Sequence, residues 1–321
     1  MSDTAKSEWN MFADVNTAKD DCSQILRLRK PVGRVDVVLD TDTYNEIDDQ
    51  YALSYMIRSD EKLDVKAIYA APFSNRKAAT PAEGMEKSSE EIQNILWLNG
   101  REDLRQITWR GSTQYLPDEK TPVCSPAAKD LADRAMKYSS ERPLYIIAIG
   151  AITNIASAIL LNPEIINRTV LVWLGGNAYN WPNNREFNLF QDVAAARIVF
   201  GCGIPLIQLP CMGVVSAFTT SGPELEAHLR GKNKLCDYLI DVTTREAMET
   251  YGGSTWSRAI WDVTAVGWLL DGDFESDTLV HAPIPEYDDR YAFDDTNHFI
   301  RYVYYIKRDN LLADLFKKLS K

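Results

Sequence analysis

Paired cysteines, histidine, positive charge and long apolar runs are what this 321-residue chain lacks, and each shortage excludes something. Its five cysteines, Cys22, Cys124, Cys202, Cys211 and Cys236, are odd in number, far apart and never in a CxxC pair. That argues against a disulfide framework and against a zinc site, and the thiols are expected to be reduced and mostly buried as small hydrophobes. No run of about 18 apolar residues occurs, so no membrane span is expected. The opening MSDTAKSEWNMF has no positive segment leading into an apolar one, so no secretory signal is expected and the chain reads as cytoplasmic. At a net charge of -11 the field of the whole protein repels polyanions, which makes nucleic acid or an anionic membrane a poor partner. A small neutral substrate fits better.

What is there is a large α/β pattern. With 45% hydrophobic residues the chain is long enough for a sizeable core. Residues 1–30 read as a polar N-terminal extension, with one short surface helix expected over Thr17 to Arg29, and Pro31 and Gly33 mark where the fold begins. Beyond them, apolar β-branched runs (35–40, 65–71, 144–150, 169–176, 204–210) alternate with helical patterns (49–58, 87–98, 152–161). That alternation predicts an α/β fold: a single doubly wound domain over 31–321, with a mostly parallel central sheet flanked by helices. No repeat or Pro/Ser-rich linker divides it. In such sheets the ligand lies beyond the carboxyl ends of the strands, so motifs just after each apolar run matter most. Two polar segments, 75–91 and 218–256, are expected as lids, the second with Gly252 and Gly253 as hinges.

The first strand runs into DTDTYNEIDD, which places Asp40, Asp42, Asp48 and Asp49 within ten residues. Carboxylates so crowded behind a buried strand repel one another unless something positive sits among them. Oxygen donors of this kind suit calcium or magnesium. The plainer alternative is that DTD makes a turn and DD caps a helix; on the cation reading Asp48 is expected to cap the following helix as well as bind. A second alternative is a haloacid-dehalogenase-like phosphatase, whose strand also ends in DxD and whose acidic motif GDFESD (272–277) imitates. Against it, Asp48 and Asp49 have no role in that chemistry, and GDFESD follows a helical pattern (263–270) and reads as an acidic loop.

Together with the later segments GAITNIA (150–156), LGGN with NW (180–181), REFN (185–188) and WD (261–262), the aspartate cluster resembles the inosine/uridine-preferring nucleoside hydrolases. The motifs occur in the family's order over about residues 33 to 270. The resemblance implies hydrolysis of the N-glycosidic bond of a ribonucleoside, with calcium held by Asp42, Asp49, Asp262 and the backbone carbonyl of Ile149. It implies Asp42 as general base, Asp48 and Asn188 on the 2′- and 3′-hydroxyls, and Glu186 and Asn180 on the 5′-hydroxyl. Asn75 would face the sugar or the attacking water, Asp40 would orient from behind, and the subunits would assemble as a homodimer or homotetramer. Thr153 and Asn154 are expected mainly to cap the helix that starts there.

Three departures stand out. Many family members have a histidine where this chain has Trp261, and none of its three histidines, His228, His281 and His298, falls in a family motif. Tryptophan donates no useful proton but stacks on a purine, as in a purine-specific branch of the family, so purine nucleosides are the expected substrates. Tyr115, Trp109, Trp181 and Trp256 are candidates for a second stacking face, and the bland alternative for Trp261 is a core aromatic. The turn TYNEI is two residues longer than the family's usual turn, and AAPFSN replaces its usual Ala-Gly-Asn. A non-catalytic nucleoside- or ribose-binding protein remains the rival from another class.

Overall fold

The computed structural model describes residues 21–253 and 255–321. In chain order its strands are β1 (Val35–Thr41), β2 (Leu63–Ala70), β3 (Thr108–Arg110), β4 (Leu144–Ala148), β5 (Thr169–Leu174), β6 (Leu206–Leu209), β7 (Thr219–Ser221), β8 (Ser257–Ala259), β9 (Glu275–His281), β10 (Ile284–Pro285), β11 (Tyr291–Ala292) and β12 (Phe299–Ile306). Eight of them form one sheet in the order β3-β2-β1-β4-β5-β6-β12-β9. All neighbours in it are parallel except β12 and β9. The fold is α/β with a mostly parallel sheet, as the sequence predicts, and every strand predicted from an apolar run is present.

Because successive side chains of a strand point to opposite faces, continuous apolar runs bury both. On one face Val37 and Leu39 of β1, Ile147 of β4 and Val172 of β5 pack beneath the helices Asp48–Ile57, Pro81–Leu98 and Arg308–Leu319. On the other, Val38, Ile146 and Leu171 meet the helices Pro126–Arg134, Thr153–Leu161 and Val193–Gly201. The strand order reverses between β1 and β4, which are hydrogen-bonded neighbours though far apart in sequence. Reversal leaves a crevice at the carboxyl ends of those two strands, where β1 delivers the aspartates and β4 delivers Ile149.

Several expectations are corrected here. Both segments read as lids are largely helical. Residues 81–98 form one long helix, opened by Thr80, whose side chain accepts from Glu83 N–H, and by Pro81 in the first turn. Residues 218–256 contain the helices Gly222–Leu229 and Lys234–Tyr251, and Gly252, at φ +67°, ends the second as a left-handed cap. Acidic GDFESD is not wholly a loop, because Glu275 starts edge strand β9. Nor does the N-terminal helix, Asp21–Arg27, stand free on the surface: Gln24 donates to Gly203 O (3.2 Å) and Arg27 to Ile166 O (3.2 Å). The remainder of the expected extension, residues 1–20, lies outside the described residues. Among the described residues no helix is long and apolar enough to cross a membrane.

The long helix 81–98 lies so close to the chain after β2 that a Cβ on Gly84 would sit 2.0 Å from the carbonyl oxygen of Phe73. Alanine is the better helix former by about 1 kcal/mol, but overpacking against backbone costs about 1–3 kcal/mol. Gly84→Ala is therefore expected to be net destabilising, seen as a lower urea midpoint at unchanged slope. A raised midpoint would mean that the helix does not rest on Phe73.

Candidate functional site

Asp42 lies one residue beyond β1, where Asn45 N–H donates to the carbonyl of Asp42 (2.7 Å) and closes a tight turn. The turn absorbs the longer TYNEI stretch and delivers Asp48 and Asp49 to the first turn of the helix Asp48–Ile57, at its positive end. Ile47 occupies the cap position and no side chain caps this helix, so Asp48 does not do so. Thr41 donates to Asp49 Oδ1 (2.5 Å) and shares a hydrogen bond with Thr43 (2.8 Å), which fixes Asp49 from the strand side. From the far end of the chain, Asp262 arrives just before the helix Val263–Leu269, its N–H 3.4 Å from Asp48 Oδ2.

Asp48, Asp49 and Asp262 each present a carboxylate oxygen within 4.8 Å of the others, and all three are buried. Asp42 is buried beside them, and neither of its carboxylate oxygens has a hydrogen-bond partner among the described residues. Burial pushes the Asp42, Asp48 and Asp262 carboxyls well up, and neighbouring carboxylates push them further: Asp49 and Asp48 for Asp42, Glu46 and Asp49 for Asp48, Asp48 and Asp49 for Asp262. Asp49 is raised to about 7 by burial, against the hydrogen bonds from Thr41 and Asp262. Oxygen donors so crowded and so short of positive charge are what a hard divalent cation satisfies.

Behind the cluster, Asp40 is raised to about 7 by burial against a hydrogen bond from Asn154 Nδ2 (2.8 Å). Asn154 also takes Ser112 N–H and Oγ on its Oδ1, both at 2.8 Å, and a Cβ on Gly111 would collide with it. Thr153 donates to Asp192 (2.7 Å). Neither residue caps the helix Thr153–Leu161, contrary to expectation: Asn154 ties the ends of β1 and β2 together, and Thr153 reaches the residue that caps the helix Val193–Gly201.

Above the aspartates opens a cavity of about 200 Å³. It is lined by Asp42, Asp48, Asp49, Ile149, Glu186, Asn188, Trp261 and Asp262 of the expected set. Glu186 caps the short helix Phe187–Gln191, accepting from the N–H groups of Gly176, Asn188 and Leu189 (2.9–3.0 Å). Asn188 donates to Leu174 O (3.1 Å). Two expected residues stand outside the cavity. Asn180 is exposed on the following turn, and Asn177 lines the wall in its stead, because the buried part of the loop is GGN at the end of β5. Asn75 is exposed too and reaches the site indirectly, donating to Asn45 Oδ1 (2.7 Å).

Sequence reasoning missed Asn45, Glu46, Arg185, Phe187, Cys211 and Met212, which also line the cavity. Phe187 is the aromatic wall besides Trp261; Tyr115, Trp109, Trp181 and Trp256 are not lining residues. Trp261 both lines the cavity and rests on the apolar core. None of the histidines lines it: His228 stacks on Phe316, His281 packs at a tilt against Phe299, and His298 is held down to about 4 by burial.

Residues 37–298 match the model of the inosine-uridine preferring nucleoside hydrolases, and the chain belongs to that family. It is similar to a putative pyrimidine-specific ribonucleoside hydrolase, RihB, of Shigella dysenteriae, 28% identical over 167 residues, which are 47% of this chain and 60% of that protein. The chain thus spans little more than half the length of the curated relatives it matches, 52% for the Escherichia coli RihB. Among solved structures it is similar to a purine-preferring ribonucleoside hydrolase from Gardnerella vaginalis, with a TM-score of 0.72, 20% identity and coverage of 89% of this chain and 98% of that one. A second is an inosine-uridine preferring nucleoside hydrolase from Bacillus anthracis, with a TM-score of 0.66, 15% identity and coverage of 89% and 99%. These two likenesses concern the fold. Family membership displaces the phosphatase reading of LDTDT, and Asp277 of GDFESD is engaged by Arg301 (2.5 Å).

The raised carboxyls set a pH dependence. Asp40 and Asp49 titrate near 7 in the folded protein against an ordinary 3.8, so the folded state holds more protons between those values. Their contribution to stability is complete below 3.8 and is lost as pH rises through about 7. Metal-free protein is therefore expected to melt at lower temperature at pH 8 than at pH 5.5, and added calcium to raise the melting temperature more at pH 8. A calcium shift that shrinks with rising pH would contradict a carboxylate site.

Proposed function

We propose that the chain hydrolyses the N-glycosidic bond of ribonucleosides, purine ribonucleosides first among them, with calcium held at the buried aspartates. The observation that carries this reading is the state of Asp42: a carboxylate at the topological switch of the sheet, buried, its two oxygens without partners among the described residues, on the wall of a cavity with Asp48, Asp49 and Asp262. The donor set fits the cation, since carboxylates and the Ile149 carbonyl are hard oxygens. Asp42, Asp49, Asp262 and Ile149 would hold it, with Asp48 close enough to share the duty. Calcium bound there supplies Lewis acidity that lowers the pKa of a water.

The chain's own groups do the rest. Asp42 takes the proton of the attacking water, because on the cavity wall both its oxygens lack a hydrogen-bond partner among the described residues. Asp48 and Asn188 hold the 2′- and 3′-hydroxyls; Glu186, fixed by three backbone N–H groups, faces the 5′ end. Anionic groups around the sugar favour the oxocarbenium-like charge of glycosidic cleavage. Trp261 and Phe187 supply apolar walls for the departing base, which is what supports purines; the pyrimidine specificity of the curated relatives makes base preference the point to test.

Asp42→Asn is expected to lower kcat by about 10²–10⁴ while calcium still binds, measured as released ribose alongside calcium titration. Equal turnover would sink the mechanism, and calcium binding without turnover in the wild type would favour the non-catalytic binder. In a screen of purine and pyrimidine ribonucleosides, a chelator should abolish release, and Trp261→Ala should cost purines about 1–3 kcal/mol in kcat/KM. Release that ignores the chelator would remove calcium from the account.

A further inference from the structure

We propose that Glu46 reads the leaving base, selecting 6-oxopurines, guanine above hypoxanthine, by accepting hydrogen bonds from the ring N1–H and, in guanine, from the adjoining amino group. The inference rests on the nucleoside hydrolase reading above and goes on to name a specificity residue.

Six acids line the cavity, and the other five have duties. Asp48, Asp49 and Asp262 converge on one point, Asp42 stands beside them with free oxygens, and Glu186 is saturated by backbone N–H groups. Glu46 alone is left over. It stands on the turn where this chain is longer than the family's usual turn, and its carboxylate is half exposed. Its orientation is nonetheless set. Arg258, whose side chain is 12% exposed, donates from Nη2 to Glu46 Oε2 (3.0 Å), and among the described residues no hydrogen bond engages Oε1. Arg258 is itself steadied by Glu246 at 3.9 Å, a residue that does not line the cavity. The chain that carries Arg258 runs on within three residues to Trp261, and Glu46 and Trp261 line the same cavity, so the anchored carboxylate shares its wall with the aromatic side chain on which the base would stack.

A carboxylate has only acceptors to offer. Guanine presents two N–H donors side by side and hypoxanthine one, whereas adenine places a lone pair at N1 and meets the carboxylate with repulsion. No histidine lines the cavity, and an acceptor without donors can tell one purine from another.

The test is kcat/KM of the calcium-loaded full chain for guanosine, inosine, adenosine and uridine, in the wild type, Glu46→Gln and Glu246→Gln. The wild type should rank guanosine above inosine above adenosine. Glu46→Gln should lower the guanosine-to-adenosine ratio about 10- to 100-fold, the range for a hydrogen bond to a charged group. Glu246→Gln, which keeps the 3.0 Å Arg258–Glu46 bond and loses only the 3.9 Å charge pairing behind it, should change that ratio far less. An unchanged ratio in Glu46→Gln overturns the proposal, and so does an equal change in Glu246→Gln, which would mean that packing around Arg258 sets the preference. Inhibition of the wild type by the free bases needs no variant to fold: guanine should bind tightest, and adenine binding tighter than guanine would refute the idea. Turnover of uridine alone would end the proposal while leaving the hydrolase reading intact; no turnover of any nucleoside would end both.

Discussion

Burying the carboxylates of Asp42, Asp48, Asp49 and Asp262 in one crevice costs several kcal/mol for each ion, a sum comparable with the whole stability of a folded chain. Two remedies exist: protons, or a cation. In the protein without metal, protons serve, and the raised carboxyls express this. A divalent cation bound at these aspartates would replace those protons at neutral pH. The same repulsion that makes the site expensive suits it to a cation, and Asp42, whose oxygens no other described residue occupies, is the base in the function proposed above.

The parallel sheet is what makes such crowding possible. β1 and β4 end side by side where the strand order reverses, so the chain after each can turn outwards without covering the crevice. Rigid supports then hold the acids from behind: Thr41 on Asp49, Asn154 on Asp40, and Ser112 on Asn154. Asp262 comes from a distant stretch of chain, so the cluster is complete only when the C-terminal part of the fold is in place.

The legibility of this arrangement follows its physics. Strands β1, β2, β4, β5 and β6 were readable because a strand buried on both faces must be a continuous apolar run. Strand β12, FIRYVYYI, is only partly buried beside the sheet's edge strand and shows neither a continuous apolar run nor a strict alternation, and it was not foreseen although its β-branched and aromatic residues are strand formers. Polar segments misled: TPAE is a capping signal at the head of a long helix, yet its charge suggested a lid. In the site, the close-set aspartates after β1 announced themselves by their spacing. Asn177 and Asn180 did not separate, since only the folded loop decides which of two nearby asparagines is turned inwards. Glu46 sat in a stretch readable only as a longer turn; its partner Arg258 is 212 residues away, and no local pattern joins them.

The most direct measurement is a crystal structure of the protein grown with calcium, with the ion identified by its anomalous signal. The account predicts one ion with oxygen ligands at about 2.3–2.6 Å from Asp42, Asp49, Asp262 and the Ile149 carbonyl. No ion at these aspartates, or an ion elsewhere with Asp42 turned away from the cavity, would contradict it.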